Sequence, residues 1–284
     1  MCTLILGRDL PAPGQILIAA NRDEDPARPS EPPRVLREIP RLVGGRDVVA
    51  GGTWLAVRAG VPTGPADTRI AGRWSAPAAV MLLNRPPLAG RPPGRRSRGL
   101  LVMDVVAADD PLLAARDAGR GTEANPAAGD PARWSDYGPC TLVFASPESC
   151  WLMALPGDGP ARMAEISPGW HVITHAELDD PREPRTAWLV ERLRGLAPRS
   201  AEHALDALAR LLAQHGTVGN AGDAASPAVC IHGGRMPTVS ASLVLLTRER
   251  VLYRHANGRP CEHAFADQGS LLEQPAPAPP GPRP

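Results

Sequence analysis

The chain contains no lysine: all 31 of its basic side chains are arginine. That excludes Schiff-base chemistry and a lysine-bearing phosphate loop, both of which need an ε-amine. The arginines are scattered and balanced by 30 acidic residues, for a net charge of +1, so no nucleic acid or anionic membrane is expected as partner. No apolar run reaches the roughly 18 residues needed to cross a bilayer, and no basic stretch followed by an apolar core marks a secretory signal. Cys2, Cys140, Cys150, Cys230 and Cys261 are an odd number with no C-x-x-C pair, which argues for reduced thiols over a disulfide scaffold. The expectation is a cytoplasmic protein without an integral membrane segment.

What is present is globular in character, with 43% hydrophobic and 21% charged residues. A length of 284 residues allows one large domain or two. Residues 3–6 and 16–20 read as a hairpin turning through Pro11 to Gly14. The proline-rich residues 26–40 read as extended surface loop, and Gly44-Gly45 and Gly51-Gly52 as tight turns before a strand at 53–57. Loops at 60–77 and 86–95 flank a strand at 79–83. Ser97 caps a helix running to Ala107, and Asp109-Asp110-Pro111 starts another, followed by loop at 119–135. Strands are expected at 141–145, 151–155 and 170–174, and amphipathic helices at 185–196 and 201–214. A hairpin of 238–246 with 251–255 closes the structured part, leaving a single domain over 1–271 and a disordered Pro- and Ala-rich tail over 272–284. Strands at both ends with helices between them indicate a layered α+β domain rather than a parallel βαβ sheet.

The chemistry gathers at the start. Met1 is followed by Cys2, a residue small enough for methionine excision. The mature chain would then carry a thiol and a free α-amine on adjacent carbons. Such an amine has a pKa of about 7.7–8.0, so near neutrality one residue supplies both nucleophile and general base. The returning strand of the first hairpin ends in Asn21-Arg22-Asp23-Glu24, and pairing of the two strands brings that cluster beside Cys2. There an Asp can hold the amine and an Arg can favour the thiolate. The thiols of Cys140, Cys150 and Cys230 lie on apolar segments, where burial should raise their pKa and leave Cys2 the most reactive.

Met1-Cys2-Thr3, Ala20 to Glu24 with Arg28-Pro29, Gly44-Gly45-Arg46-Asp47 and Ala50 to Leu55 together resemble the NRDE (transport and Golgi organisation protein 2-like) family. Asn84-Arg85, Ser97-Arg98-Gly99 and Thr238 to Ser242 extend the resemblance to about residue 265. That family is similar in layout to N-terminal-nucleophile (Ntn) hydrolases of the bile-salt hydrolase and penicillin V acylase type. The resemblance implies a four-layer αββα sandwich with antiparallel sheets. It also implies hydrolysis of a non-peptide amide or related acyl bond in a small-molecule substrate, without a cofactor. Cys2, Asn21 and Asp23 fall on shared motif positions. Ala20 stands where those acylases have Arg, so Arg22 would supply the positive charge, and Asn84 is the candidate oxyanion donor. The chain departs from the family at Thr174-His175, where many members have Ser-Asn, and at Val239, where many have Arg. Some members are associated with haem, which makes non-catalytic haem trafficking the alternative, with Cys or His as axial ligands.

Cys230-Ile231-His232 and Cys261-Glu262-His263 contain four metal-ligating side chains. Structural zinc ligands usually lie two to four residues apart, and C-x-H lacks that spacing, so no metal centre is expected.

Overall fold

The computed structural model describes residues 2–60, 76–85, 96–108, 137–156, 161–217 and 225–273. Two antiparallel sheets stack face to face. The first has six strands in the order β10 (Gly169–Ile173), β1 (Thr3–Arg8), β2 (Ile16–Asp23), β11 (Thr238–Leu246), β12 (Val251–Ala256) and β13 (Ala266–Asp267). The second runs in sequence order from β3 (Ser30–Arg37) through β4 (Leu42–Asp47), β5 (Leu55–Arg58), β6 (Ala78–Asn84), β7 (Cys140–Ser146) and β8 (Ser149–Leu155) to β9 (Arg162–Glu165).

Side-chain alternation builds three apolar layers from these two sheets. Leu4, Ile18, Val143, Ile173 and Val244 meet between the sheets. Ile5, Leu17, Val172 and Leu243 face α2 (Pro184–Arg194) and α3 (Ala201–Leu212). Leu42, Val80, Leu142 and Phe144 face α1 (Arg98–Ala107). The arrangement is the expected αββα sandwich.

Most expected elements are present within a residue or two. The 26–40 segment is a correction: Ser30–Arg37 is β3, not loop. Pro32 and Pro33 are tolerated because β3 is an edge strand whose pairing with β4 slips between Glu31 and Arg34. Gly44 and Gly45 lie inside β4, not in a turn. A Cβ on Gly44 would sit 2.2 Å from the Leu55 carbonyl oxygen, and one on Gly45 2.3 Å from the Trp54 ring. Those glycines therefore admit β5 and its leading tryptophan. A Cβ on Gly52 would sit 2.3 Å from the Gly99 carbonyl carbon, so the Gly51-Gly52 and Ser97-Arg98-Gly99 motifs meet in space. Leu272, expected to begin the tail, ends the short helix α4 (Gly269–Leu272) and is buried between the sheets. The helix expected from Asp109 and most of the loops at 60–77, 86–95 and 119–135 lie outside the described residues.

Candidate active site

The first hairpin pairs Thr3 with Asn21 and Leu6 with Ile18, the register that brings the Asn-Arg-Asp-Glu cluster to Cys2. Cys2 Sγ lies 3.8 Å from the Asp23 carbonyl oxygen. On the other side β1 pairs with β10, Leu4 opposite Ile173, and β2 pairs with β11, Arg22 opposite Ser240. Continuing the β1–β2 register by one residue sets Cys2 opposite Arg22, which itself pairs with Ser240, so the three stand in one row across three strands, while His175 lies two residues beyond the end of β10. Alternation puts that row on the inter-sheet face, where Cys2, Ala20 and Trp54 pack at the edge of the core.

The odd-numbered neighbours turn to the helix side. Asn21 is buried and its amide donates to the carbonyls of Leu212 and Val229, each at 2.9 Å. Asp23 Oδ1 accepts from Thr238 Oγ1 at 2.7 Å and Oδ2 from Arg185 Nη1 at 3.3 Å. Arg185 also donates to Thr3 Oγ1 at 2.8 Å. Arg185 reaches the site because α2 starts there. Pro184 occupies its first turn, and Glu183 caps it by accepting from the Thr186 amide at 2.6 Å. Thr238 reaches Asp23 through a bulge at Val239, the extra residue between Thr238↔Asp23 and Ser240↔Arg22.

Arg22 is sandwiched. Its guanidinium stands 4.2 Å from the Trp54 ring centroid, and it donates to Ser30 Oγ at 3.1 Å and pairs with Glu24 at 3.7 Å. Arg28 continues the network to Asp47 at 2.7 Å, so the two family motifs Asn-Arg-Asp-Glu and Gly-Gly-Arg-Asp meet in space.

Burial, and after it the negative charge of Asp23, push the Cys2 thiol above its ordinary range, outweighing the opposite pull of Arg22. As expected, Arg22 pulls Cys2 toward the thiolate, but burial and Asp23 outweigh it, so the thiol is held in its protonated form. Burial raises the Asp23 carboxyl too, against the pull of Thr238 and Arg185. Cys140 and Cys150 are pushed up to about 12 by burial. Burial keeps the His175 imidazole below its usual value.

Asn84 stands apart from this group. It is exposed at the end of β6, and alternation places it on the α1 side with Val80 and Leu82, while Leu83 and Arg85 take the inter-sheet side. Arg85 donates to Thr141 Oγ1 at 2.7 Å and to Glu177 at 2.8 Å. Sequence reasoning missed Arg185, because nothing in Pro184-Arg185-Thr186 distinguishes it from an ordinary helix start. It quoted Thr238 only as part of a motif, and His175 only as a departure.

A second cluster lies elsewhere: His215, Cys230, His232 and Cys261 offer ligand atoms all within 4.8 Å of one another. No described helix is long and apolar enough to cross a membrane.

Among solved structures the fold resembles the C2A mutant of the conjugated bile acid hydrolase from Clostridium perfringens. The TM-score is 0.53 at 9% identity, over 97% of this chain and 95% of that one. It also matches the Caenorhabditis elegans ortholog of N-acylethanolamine-hydrolyzing acid amidase, with a TM-score of 0.43 at 12% identity, over 85% and 92% of the two chains. No curated protein sequence matches significantly. The profile of the family described as Transport and Golgi organisation 2 matches residues 1–223, and the chain belongs to that family.

Proposed function

We propose that this protein is an Ntn hydrolase that cleaves a non-peptide amide or related acyl bond in a small molecule, with Cys2 as nucleophile. The observation that carries the reading is the placement of Cys2 Sγ against the backbone carbonyl of Asp23, whose buried carboxyl is held from two sides by Thr238 and Arg185. A thiol that holds its proton needs a base, and the α-amine exposed by loss of Met1 would be the nearest one by covalent structure. Asp23 would orient that amine as it becomes an ammonium.

The steps follow from these groups. The amine takes the Sγ proton, and the sulfur attacks the carbonyl carbon of the scissile bond. The resulting oxyanion would be met by a ring N–H of His175, two residues beyond β10, whose imidazole burial holds below its usual pKa. Collapse breaks the bond to the leaving amine, which takes the proton from the ammonium and leaves a thioester on Cys2. Water, its proton removed by the same amine, then attacks the thioester; the C–S bond breaks, the acid is released, and the ammonium returns its proton to Sγ. A preorganised donor at the oxyanion contributes about 2.7–4 kcal/mol in related chemistry, so His175→Ala should be slow but not dead. Support from outside the chain is the fold shared with the bile acid hydrolase, itself studied as the C2A mutant.

The test is intact-mass spectrometry of purified protein before and after a panel of acyl-amide and thioester probes. The expected result is a chain lacking Met1 with one acyl group on Cys2, and none on the Cys2→Ala variant. A dominant species retaining Met1, or acylation mapped to another thiol, would remove the mechanism.

A further inference from the structure

Cys230 Sγ and Cys261 Sγ lie 3.5 Å apart, and His232 Nε2 lies 3.1 Å from Cys261 Sγ. The rings of His215 and His232 meet edge to face with centroids 4.6 Å apart. A tetrahedral zinc ion, with bonds of about 2.3 Å to sulfur and 2.0–2.1 Å to nitrogen, would separate two sulfurs by about 3.7 Å and sulfur from nitrogen by about 3.5 Å. These two spacings are thus within a few tenths of an ångström of such a coordination shell, and all four ligand atoms lie within 4.8 Å of one another. We propose that His215, Cys230, His232 and Cys261 form a four-ligand structural site for zinc.

The backbone positions the four side chains independently of one another. His215 follows α3, and the carbonyl of Gln214 accepts from the amides of both Val229 and Cys230 at 3.0 and 2.9 Å. This clamps the residue before one ligand against another ligand. Gly216 permits the approach, since a Cβ there would lie 2.9 Å from the backbone of Ser226 and of Ala228. The Cys230–His232 link is tied to the start of β11, Thr238 and Ile231 exchanging hydrogen bonds at 2.9 Å each. Cys261 is presented by a turn in which Glu262 and His263 donate to the Arg259 carbonyl at 3.0 and 2.9 Å. His263 is not part of the set. Its ring fills the space beside Gly258 where a Cβ would stand, 2.1 Å away.

A further feature fits zinc better than a thiol pair alone. His232 points Nε2 at the cluster while Nδ1 lies 3.6 Å from the Glu262 carboxylate, the outer partner that metal-bound imidazoles usually have. A disulfide would use the two sulfurs and leave both imidazoles converging on nothing. Four protein ligands leave no open position, so the site is structural rather than catalytic. The spacing rule failed because the ligands come from three segments, with His215 supplied from the end of α3.

The experiment is titration of the full chain, stripped of metal and held in a non-chelating reductant, with Co(II) followed by back-titration with Zn(II). Expected are the intense visible bands of a tetrahedral thiolate complex at one cobalt per chain, abolished by one equivalent of zinc. Cys230→Ser and Cys261→Ser should each lose the bands. His215→Ala, exposed and therefore safe for folding, should weaken binding at least 100-fold, more than the 10–100-fold expected of Glu262→Gln, an outer partner. Cys140→Ser is the control and should bind normally. The proposal is overturned by the absence of these bands with all thiols reduced, by bands that persist in His215→Ala and Cys230→Ser, or by a Cys230–Cys261 disulfide in protein purified under reductant.

Discussion

Cys2 and Cys230 are both thiols that burial and an adjacent group hold in the protonated form, yet their surroundings ask for different chemistry. Around Cys2 stand a carboxyl and a guanidinium, groups able to steer a single proton. Around Cys230 stand a second thiol and two imidazoles, all soft donors aimed at one point. A raised thiol pKa thus says little on its own. The second neighbour decides whether the proton would leave to a base during a reaction or be displaced into solvent as a metal binds the thiolate.

The sharpest break between the two sites is mutational. Cys2→Ala should lower hydrolysis at least 10³-fold, as loss of a covalent nucleophile does, while leaving Co(II) binding intact. Steady-state kinetics on any substrate found by the probe panel, beside the cobalt titration, reads both. If Cys2→Ala also lost cobalt, the two thiols would not belong to separate sites.

Metal removal should act in the opposite sense, on stability first. Zinc present at 1,000 times its dissociation constant adds about 4 kcal/mol, so chelation should lower the melting temperature by on the order of 10 °C. Calorimetry with and without chelator checks this. A Cys230→Ser variant should show the lower value from the start and respond no further.

Acid separates the sites differently. His255, buried beside Ser242 on the inter-sheet face, is held neutral by burial down to about pH 4, whereas an unfolded imidazole takes its proton near 6.5. Between those values the unfolded chain binds more protons. The His255 contribution is therefore fully present above about pH 6.5 and lost as pH falls toward 4, about 3 kcal/mol in all. Metal-free protein should show this loss between pH 7 and 4.5 in chemical denaturation, and His255→Gln should flatten it. Parallel curves for the two would overturn the assignment.

The smallest expected effect concerns the link between the sites. Thr238→Val leaves Asp23 Oδ1 and the Ile231 amide each without the partner they have now, at a cost of about 1–3 kcal/mol. It should also slow probe labelling of Cys2 without changing cobalt stoichiometry.

Legibility in the sequence followed the distance between partners. The Cys2 end was readable because its parts are one hairpin apart: a β1–β2 register of six pairs carries Asn21 to Asp23 to the thiol. Even so, the pattern did not show that alternation sends Asn21 and Arg22 to opposite faces, so that Asn21 braces backbone rather than reaching between the sheets. Arg185 was invisible because its approach depends on where α2 begins, and β3 because two prolines outweighed an edge position. The metal cluster was dismissed by a rule about neighbours along the chain. Its ligands are brought together by the packing of α3 against the sheet and by two loops flanking the β11–β12 hairpin.

The pairing of β2 with β11 also has a consequence in time. Asp23 and Thr238 are 215 residues apart, and at 5–20 residues per second a ribosome needs about 10–40 s to deliver the second after the first. At the start of that interval the nascent amino terminus has its motif but neither Arg185 nor the strand and hydroxyl of β11 that close around it, and β11 arrives last. On the proposed reading, the surroundings of the nucleophile are therefore complete only once the chain's last hairpin is in place.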